Sequence, residues 1–278
     1  MAGLLILCGT PIGNLADAPP RLAEALSGAD CVYAEDTRRS GKLFKALGVT
    51  PRRLRSFFAG NENSRTAELA GRLAAGETVA LVTDAGTPGI SDPGLLAVRA
   101  AFGEGARVTI VPGPSAVTAS LAVSGLAAGK FTFEGFLPRS GEKRARRIGF
   151  LAGGAETVVL FSSPHRLRED LEDLAVAGMG DRPMAVVREL TKLHEEVWTG
   201  TVSDACREWS VRAPQGEFTL VIGGGSPSAS DEISGRMVGA AEAVARLVSA
   251  GLPTSAAVRE VARLLEVPRR DLYGLVHG

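Results

Sequence analysis

The sequence predicts an α/β fold, because short apolar runs alternate with helical segments along most of its 278 residues. In the first half, one pattern occurs three times: an apolar run, a loop with glycine and proline, and then a helical segment. The apolar runs are residues 4–8, 79–82 and 107–111. Strands that alternate with helices form parallel sheets, so we expect the three loops to lie at one sheet edge, where they can enclose a ligand.

The pattern changes after Gly125. Residues 131–137 alternate like a strand of a mixed or antiparallel sheet, and apolar runs predict further strands at 157–161, 184–187 and 218–222. Residues 195–202 are predicted to form another strand that ends in a turn. We therefore predict a first α/β domain over 1–113, a second over 114–224, and a linker with a small helical appendage over 225–278.

Residues 223–230, at the junction with the appendage, have the composition of a flexible linker. Helices are predicted over 240–249, 255–265 and 269–275, in an arrangement typical of a small helix-turn-helix bundle.

The composition excludes several classes of protein. The formal net charge is zero, so no global field attracts nucleic acid or membranes. Cys8, Cys31 and Cys206 are widely spaced, which predicts neither a metal site nor a disulfide framework. The apolar run at 4–8 is too short for a signal peptide, and no segment approaches the roughly 20 apolar residues of a membrane span. We expect a cytoplasmic protein without a resident metal.

The loop over 83–94, TDAGTPGISDPG, is the most informative segment. Its glycines permit backbone conformations that other residues avoid and leave room for a ligand. Asp92 is predicted to cap the following helix, with Pro93 in its first turn. Neither a Gly-x-Gly-x-x-Gly fingerprint after the first strand nor a phosphate-binding lysine loop is present, which argues against NAD and ATP.

Charged residues follow the predicted strand at 31–34. Glu35, Asp36, Arg38 and Arg39 either form a salt-bridged strand end or act on a ligand. In the second interpretation the arginines bind phosphate, and a carboxylate orients a substrate hydroxyl.

A second basic group lies in residues 139–147, which contain Arg139, Lys143, Arg144, Arg146 and Arg147. The group is either a solvated helix face or a patch that binds an RNA backbone. Residues 188–196 are also dense in titratable groups, and we interpret them as active-site polarity rather than a metal site.

Taken in order, eight motifs resemble one family. They are Gly9-Thr10-Pro11-Ile12-Gly13-Asn14-Leu15, Glu35-Asp36-Thr37-Arg38, residues 84–94, Pro112-Gly113-Pro114-Ser115, residues 133–139, Ser163-Pro164-His165-Arg166, residues 188–192 and Gly216-Glu217-Phe218. Together they resemble the bacterial small-subunit ribosomal RNA ribose 2′-O-methyltransferase I family, which has the tetrapyrrole methylase fold. The resemblance covers nearly the whole chain.

The resemblance implies a homodimer that binds S-adenosylmethionine between two α/β domains. It also implies methylation of a cytidine 2′-hydroxyl in 16S rRNA near the decoding centre, in the small subunit or its assembly intermediate. The implied cofactor contacts are Pro11, Thr87, Gly89, Ile90, Ser115, Ala116, Phe161, Glu217 and Phe218. The candidate RNA contacts are Arg38, Arg39, Arg139, Lys143 and Arg144, together with Lys192.

The candidate catalytic residues are Glu35, Asp36, Glu189 and Lys192. A neutral Lys192 could act as a base, whereas its charged form could stabilise a developing alkoxide, and we favour the second role. The sequence departs from the family at Phe58-Ala59-Gly60-Asn61-Glu62, where a histidine is usual. We therefore assign that loop no catalytic role.

Two other functions remain open on the sequence. The same fold and cofactor could serve carbon methylation of a tetrapyrrole, although the basic residues argue against it. Alternatively, the chain could be a non-catalytic RNA-binding assembly factor that retains a vestigial pocket.

Overall fold

The computed structural model describes residues 2–225, 229–265 and 267–277. These residues form two compact units, one over 1–224 and one over 225–278.

A parallel sheet occupies the first half of the larger unit, as predicted. Its strands are β1 (Leu4–Cys8), β2 (Cys31–Ala34), β3 (Leu54–Ser56), β4 (Thr78–Val82) and β5 (Arg107–Val111). Their order is β3-β2-β4-β1-β5. The connecting helices are α1 (Pro20–Gly28), α2 (Thr37–Ala46), α3 (Glu62–Ala74) and α4 (Leu95–Gly103).

Both faces of this sheet are covered. Neighbouring residues of β1 point to opposite sides, so that Leu5 joins one apolar cluster and Ile6 joins another. In β4, Val79 and Ala80 divide in the same way. Burial on both faces explains why these strands are continuous apolar runs, and it leaves the loops at the carboxyl edge as the place for a ligand.

The second sheet of the larger unit is mixed. Its strands are β6 (Phe131–Phe136), β7 (Thr157–Ser162), β8 (Pro183–Arg188), β9 (Glu196–Thr201) and β10 (Phe218–Ile222). Their order is β6-β7-β10-β8-β9, and only the β6–β7 pair of these described strands is parallel. The helices in this part of the chain are α5 (Ala116–Val123), α6 (Gly141–Gly153), α7 (Leu167–Leu174) and α8 (Val202–Val211).

The first sheet falls within residues 1–113 and the second within residues 114–224, and the division of these residues into two domains stays a prediction. The prediction of a turn at the end of β9 is wrong, because β9 ends at Thr201 and α8 begins at the next residue. Thr201 accepts a hydrogen bond from the Asp204 backbone while the Asp204 side chain accepts one from the Thr201 backbone, which forms a capping box.

The predicted cap of α4 is also wrong. The residue at the cap position is Gly94, with φ of 149°, and Asp92 lies earlier, in the loop. The helix therefore starts two residues later than an Asp92 cap would allow, and the Asp92 carboxylate is left for another role.

The smaller unit contains α9 (Ala229–Ser249), α10 (Thr254–Leu264) and α11 (Arg269–His277). Its core includes the buried Val244, Val258 and Leu272. The first helix begins well before the predicted residue 240, within the segment expected to be a linker; residues 226–228 of that segment lie outside the described residues. None of the described helices has the length and apolar character needed to cross a bilayer.

Candidate active site

A cavity of about 320 Å³ lies between the two sheets of the larger unit. One wall comes from the loops after β1, β4 and β5, and the other from the ends of β6, β7, β8 and β10. Pockets of this size and position hold small molecules and cofactors in many proteins.

Three loops of the parallel sheet are joined to one another at this wall. Thr10 and Gly86 exchange backbone hydrogen bonds, with N···O distances of 2.9 and 3.2 Å. Behind them, Gly9 and Gly113 touch through their backbones, and a Cβ added to Gly9 would lie 2.5 Å from the Gly113 nitrogen. The absence of side chains at these two positions is what lets the loops after β1 and β5 approach.

Most of the implied cofactor contacts lie together around the cavity. Its lining includes Thr87, Ile90, Ser115, Ala116, Phe161, Glu217 and Phe218. Pro11 and Gly89 are not lining residues. Gly89 instead closes a turn by donating its N–H to the Pro93 carbonyl at 3.1 Å, in a left-handed conformation with φ of 84°.

The chemistry of the lining fits a ligand with an apolar aromatic part and polar ends. Apolar side chains are supplied by Ile12, Val117 and Phe161, and hydroxyl groups by Ser115 and Thr219. Phe161 packs edge-on against Phe133, with ring centroids 5.1 Å apart, which fixes the aromatic part of the wall.

Lys192, which is paired with two carboxylates, lies on the side of the cavity formed by β8 and β10. Lys192 Nζ donates to Glu189 Oε1 at 2.8 Å and to Glu217 Oε2 at 3.0 Å. Burial alone would lower the pKa of Lys192, but the two carboxylates outweigh it and raise the pKa, so the ammonium stays charged. Burial alone would raise the pKa of Glu189, but the Lys192 hydrogen bond and the Glu217 backbone N–H lower it.

The backbone around this ion pair is tightly constrained. Glu189 and Thr191 have positive φ values of 50° and 66°. Glu189 Oε1 also accepts the backbone N–H of Glu217 at 2.9 Å, and a Cβ on Gly216 would collide with the Glu189 side chain. These hydrogen bonds compensate the strained backbone of the segment that carries Lys192.

Carboxylates gather on the opposite wall. Glu35 Oε2 accepts the backbone N–H of Asp84 at 3.3 Å, and Asp84 Oδ2 accepts from Arg39 at 3.0 Å. Burial, followed by the charge of Asp84, raises the pKa of Glu35, although the Asp84 N–H and Arg39 oppose the rise. Burial and the charges of Glu35 and Asp84 raise the pKa of Asp92 to about 7.

Asp92 is a functional candidate that the sequence analysis missed. It lines the cavity, whereas the Ser-Asp-Pro-Gly pattern indicated only a helix cap. The available signal was the position of this pattern inside a loop that follows a central parallel strand.

Asp36 caps a helix and pairs with Arg38, which agrees with the salt-bridged interpretation of this segment. Its Oδ1 accepts the N–H groups of Arg38 and Arg39, so the side chain caps α2. The backbone hydrogen bond from Arg38, followed by that residue's side chain, lowers the pKa of Asp36. It is not among the residues that line the cavity.

The predicted RNA contacts divide between the surface and the interior. Arg38, Arg39, Arg139 and Lys143 are exposed. The prediction that Arg144 contacts RNA is wrong, because the residue is buried. Its guanidinium donates to Asp170 at 2.8 Å, to Asp173 at 2.6 Å and to the Pro138 carbonyl at 3.1 Å. A guanidinium saturated in this way has no free face for a phosphate.

The loop at 58–62, for which no catalytic role was predicted, supports neighbouring segments. Asn61 accepts the Phe58 N–H at 2.8 Å, and Glu62 Oε1 accepts the Gly94 N–H at 3.1 Å. Glu62 therefore helps to hold the loop that carries Asp92.

Comparisons with known proteins agree with this architecture. Residues 4–206 match the family model described as Tetrapyrrole (Corrin/Porphyrin) Methylases, and residues 238–277 match the model described as the RsmI C-terminal HTH domain. The fold is similar to the crystal structure of uroporphyrin-III C-methyl transferase from Thermus thermophilus complexed with S-adenyl homocysteine. The TM-score is 0.56 and the identity 18%, with 80% of this chain and 97% of that chain covered, so this likeness shows the fold alone.

Two relatives are similar over nearly the full length. A Synechocystis sp. protein named Ribosomal RNA small subunit methyltransferase I is 42% identical over 273 residues, covering 98% of this chain and 97% of the relative. A Mycobacterium tuberculosis (strain CDC 1551 / Oshkosh) protein of the same name is 45% identical over 277 residues, covering 99% and 95%.

Proposed function

Because the chain belongs to the tetrapyrrole methylase family and, within it, to the ribosomal RNA small subunit methyltransferase I proteins, we propose that it transfers the methyl group of S-adenosylmethionine to the RNA of the small ribosomal subunit. The observation that carries the proposal is the similarity to relatives of that name along nearly the whole chain, which includes the residues that line the cavity.

The cavity suits this cofactor. S-adenosylmethionine supplies a methyl group on a positively charged sulfur, and the leaving group is therefore neutral. Ile12, Val117 and Phe161 offer apolar contact to an adenine ring, while Thr87 and Ser115 offer hydroxyl groups to the polar parts. Alignment of the acceptor with the methyl group can supply on the order of 7–11 kcal/mol of the barrier.

We propose that the acceptor is the ribose 2′-oxygen of a cytidine in 16S rRNA near the decoding centre, as the resemblance implies. The exposed cations support an RNA substrate: Arg38 and Arg39 lie in the first turn of α2, Arg139 follows β6, and Lys143 lies in the first turn of α6. Each cation that meets a phosphate adds a salt-dependent contribution to binding. The homodimer and the cytoplasmic location implied by the sequence belong to the same proposal.

Lys192 stabilises negative charge that develops on the acceptor oxygen, because its ammonium stays charged beside Glu217, a cavity-lining residue. Lys192→Ala is expected to lower the rate constant of methyl transfer roughly 10²-fold, as loss of one such donor does elsewhere. Single-turnover assays at saturating cofactor measure this constant. Full activity in the variant would contradict the role.

The proposed function is tested by transfer of labelled methyl from S-adenosylmethionine to small ribosomal subunits from a strain that lacks this protein. Digestion of the RNA then locates the label. Label on one ribose 2′-oxygen is the expected result. Transfer to a tetrapyrrole instead of RNA would support the carbon methyltransferase, and RNA binding without any transfer would support the assembly factor.

A further inference from the structure

The proposed reaction requires that the acceptor hydroxyl lose its proton, and most of the predicted bases are occupied. Asp36 caps α2, and Glu189 is held in an ion pair with a lowered pKa. Lys192 is kept charged by its two carboxylates, so it has no lone pair to offer.

Asp92 has the position that these residues lack. Among the described residues, Asp92 and Glu217 are the cavity-lining side chains that carry a titratable group. Glu217 is bound to Lys192. Asp92, in contrast, makes no hydrogen bond or ion pair with any side chain or backbone group that the structure describes.

The loop that carries Asp92 is held on both sides. Before it, Ser91 adopts a left-handed conformation with φ of 61° and packs against Gly135, where a Cβ would lie 2.9 Å from the serine Oγ. After it, the Pro93 carbonyl accepts from the Gly89 N–H and the Gly94 N–H donates to Glu62. A side chain on such a braced loop is pre-organised for one position.

The charges that face Asp92 come from the ends of β2 and β4. Glu35 and Asp84 repel a negative charge on Asp92, and Arg39 partly neutralises Asp84. With burial, they bring the pKa of Asp92 to about 7. A carboxylate with a pKa near the working pH is the kind of group that enzymes use to accept a proton.

We propose that Asp92 is the catalytic base of the methyl transfer, an inference that rests on the proposed function. Its carboxylate accepts the proton of the ribose 2′-hydroxyl as the 2′-oxygen forms its bond to the methyl carbon. The carbon–sulfur bond breaks and its electron pair stays on sulfur, which becomes neutral. Asp92 then releases the proton to water, and the carboxylate is restored.

The test compares Asp92→Asn with Glu104→Gln in the full-length protein. Glu104 follows the other end of α4, is exposed, and is absent from the cavity lining, so its variant controls for the loss of one negative charge. Single-turnover methyl transfer to small ribosomal subunits is measured from pH 5.5 to 8.5. Binding of S-adenosylmethionine is measured by calorimetry on the same samples, and circular dichroism monitors folding.

The wild-type rate constant is expected to rise with pH and level off above about 7, since the base must be ionised. Asp92→Asn should lower the plateau roughly 10²–10⁴-fold and remove this break, while cofactor affinity changes only a few-fold. Glu104→Gln should retain both rate and break. Asp92→Glu, which restores the carboxylate, should recover part of the rate and a pH break, even if Asp92→Asn folds poorly.

A readout independent of activity is ¹³C NMR of the carboxyl groups. A resonance that titrates near pH 7 should be present in the wild-type protein and absent from Asp92→Asn. Its persistence in the variant would overturn the assignment, as would loss of the pH break in Glu35→Gln but not in Asp92→Asn. Weaker cofactor binding by Asp92→Asn with an unchanged rate constant would make Asp92 a binding residue and also overturn it.

The outcomes separate this inference from the proposed function. Transfer to RNA by both the wild-type protein and Asp92→Asn at equal rates contradicts the role of Asp92 alone. Absence of transfer by the wild-type protein contradicts the proposed function, and with it the hydroxyl that Asp92 is assigned to deprotonate.

Discussion

Helices α2 and α6 both begin next to a sheet edge with closely spaced cations, yet they use them in opposite ways. In α2, the Arg38 and Arg39 side chains are 91% and 71% exposed, and each pairs with one carboxylate. In α6, the Arg144 side chain is 5% exposed and lies among Asp170, Asp173 and the Pro138 carbonyl, while its neighbour Lys143 faces solvent. A run of like charges therefore does not define one surface.

The helical repeat explains the division between Arg144 and Lys143 within α6. Arg144 lies four residues before Ile148 and seven before Leu151, and all three are buried on one face of α6. Lys143 is one position off that face. In α2 the buried positions are Ser40, Leu43 and Phe44, whereas the two arginines of the first turn stay exposed and pair with Asp36 and Asp84.

The largest effect is expected for Arg144. Arg144→Ala should lower the free energy of unfolding by roughly 3–5 kcal/mol, because it leaves the buried Asp170 without its main partner. Lys143→Ala should change the free energy by less than about 0.5 kcal/mol. Urea denaturation of both variants measures the difference, and equal stability of the two would contradict the assignment of Arg144 to the interior.

The second effect concerns RNA binding. The double variant Arg38→Ala/Arg39→Ala should weaken binding to small-subunit RNA, and it should reduce the slope of log affinity against log salt by about 1–2, as expected for the loss of two phosphate contacts. Filter binding at several salt concentrations provides the slope. Arg52→Ala/Arg53→Ala serves as the control, because these two exposed arginines are likewise each paired with one carboxylate but lie before β3, at the opposite edge of the parallel sheet. An unchanged slope in the double variant would remove α2 from the RNA interface.

A smaller effect would show that α2 also adjusts the carboxylates beside the cavity. Arg39 pairs with Asp84, whose negative charge raises the pKa of Asp92. Removal of the arginine's positive charge in Arg39→Ala should shift the pH break of methyl transfer to higher pH, by less than about one unit. The pH–rate profile measures the shift, and a shift to lower pH would contradict the electrostatic argument.

The ionisation of Asp92 should make the stability of the protein depend on pH. The direction should be opposite to that of an ordinary salt-bridged carboxylate, which stabilises a protein more as the pH rises. Since the folded-state pKa of Asp92 is about 7, above the usual 3.8, folding binds a proton between these values and stability decreases as the pH rises through that window. Asp92→Asn should flatten this decrease and raise the melting temperature at pH 8 by about 3 °C. Melting curves from pH 4 to 8 test the sign.

The fold was largely predictable because its signals are local. The strands β1, β4 and β5 are continuous apolar runs, and the loops after them contain the glycines that the cavity requires. The cavity itself depends on contacts between distant segments, such as Phe161 with Phe133. Seven residues of the cavity lining were predicted from the family resemblance, and none of them from the periodicity of the sequence.

The errors have physical causes that the local sequence does not show. Asp92 resembles a helix cap, but Gly94 takes the cap position with a φ of 149° that other residues rarely adopt. Arg144 looks like a surface cation until α7 brings Asp170, 26 residues further along the chain, into contact with it. Both errors concern charged side chains whose partners are remote in sequence.

The contact between Gly9 and Gly113 has a consequence for the engineering of this enzyme. Replacement of glycine by alanine often stabilises proteins by about 0.4–1 kcal/mol because it lowers the entropy of the unfolded chain. At Gly9 and Gly113 the added methyl would push two loops apart. Gly71 and Gly149, within helices and with no described atom within 4 Å of an added Cβ, can accept it. The chain thus offers stabilising substitutions in its helices and forbids them where its loops meet.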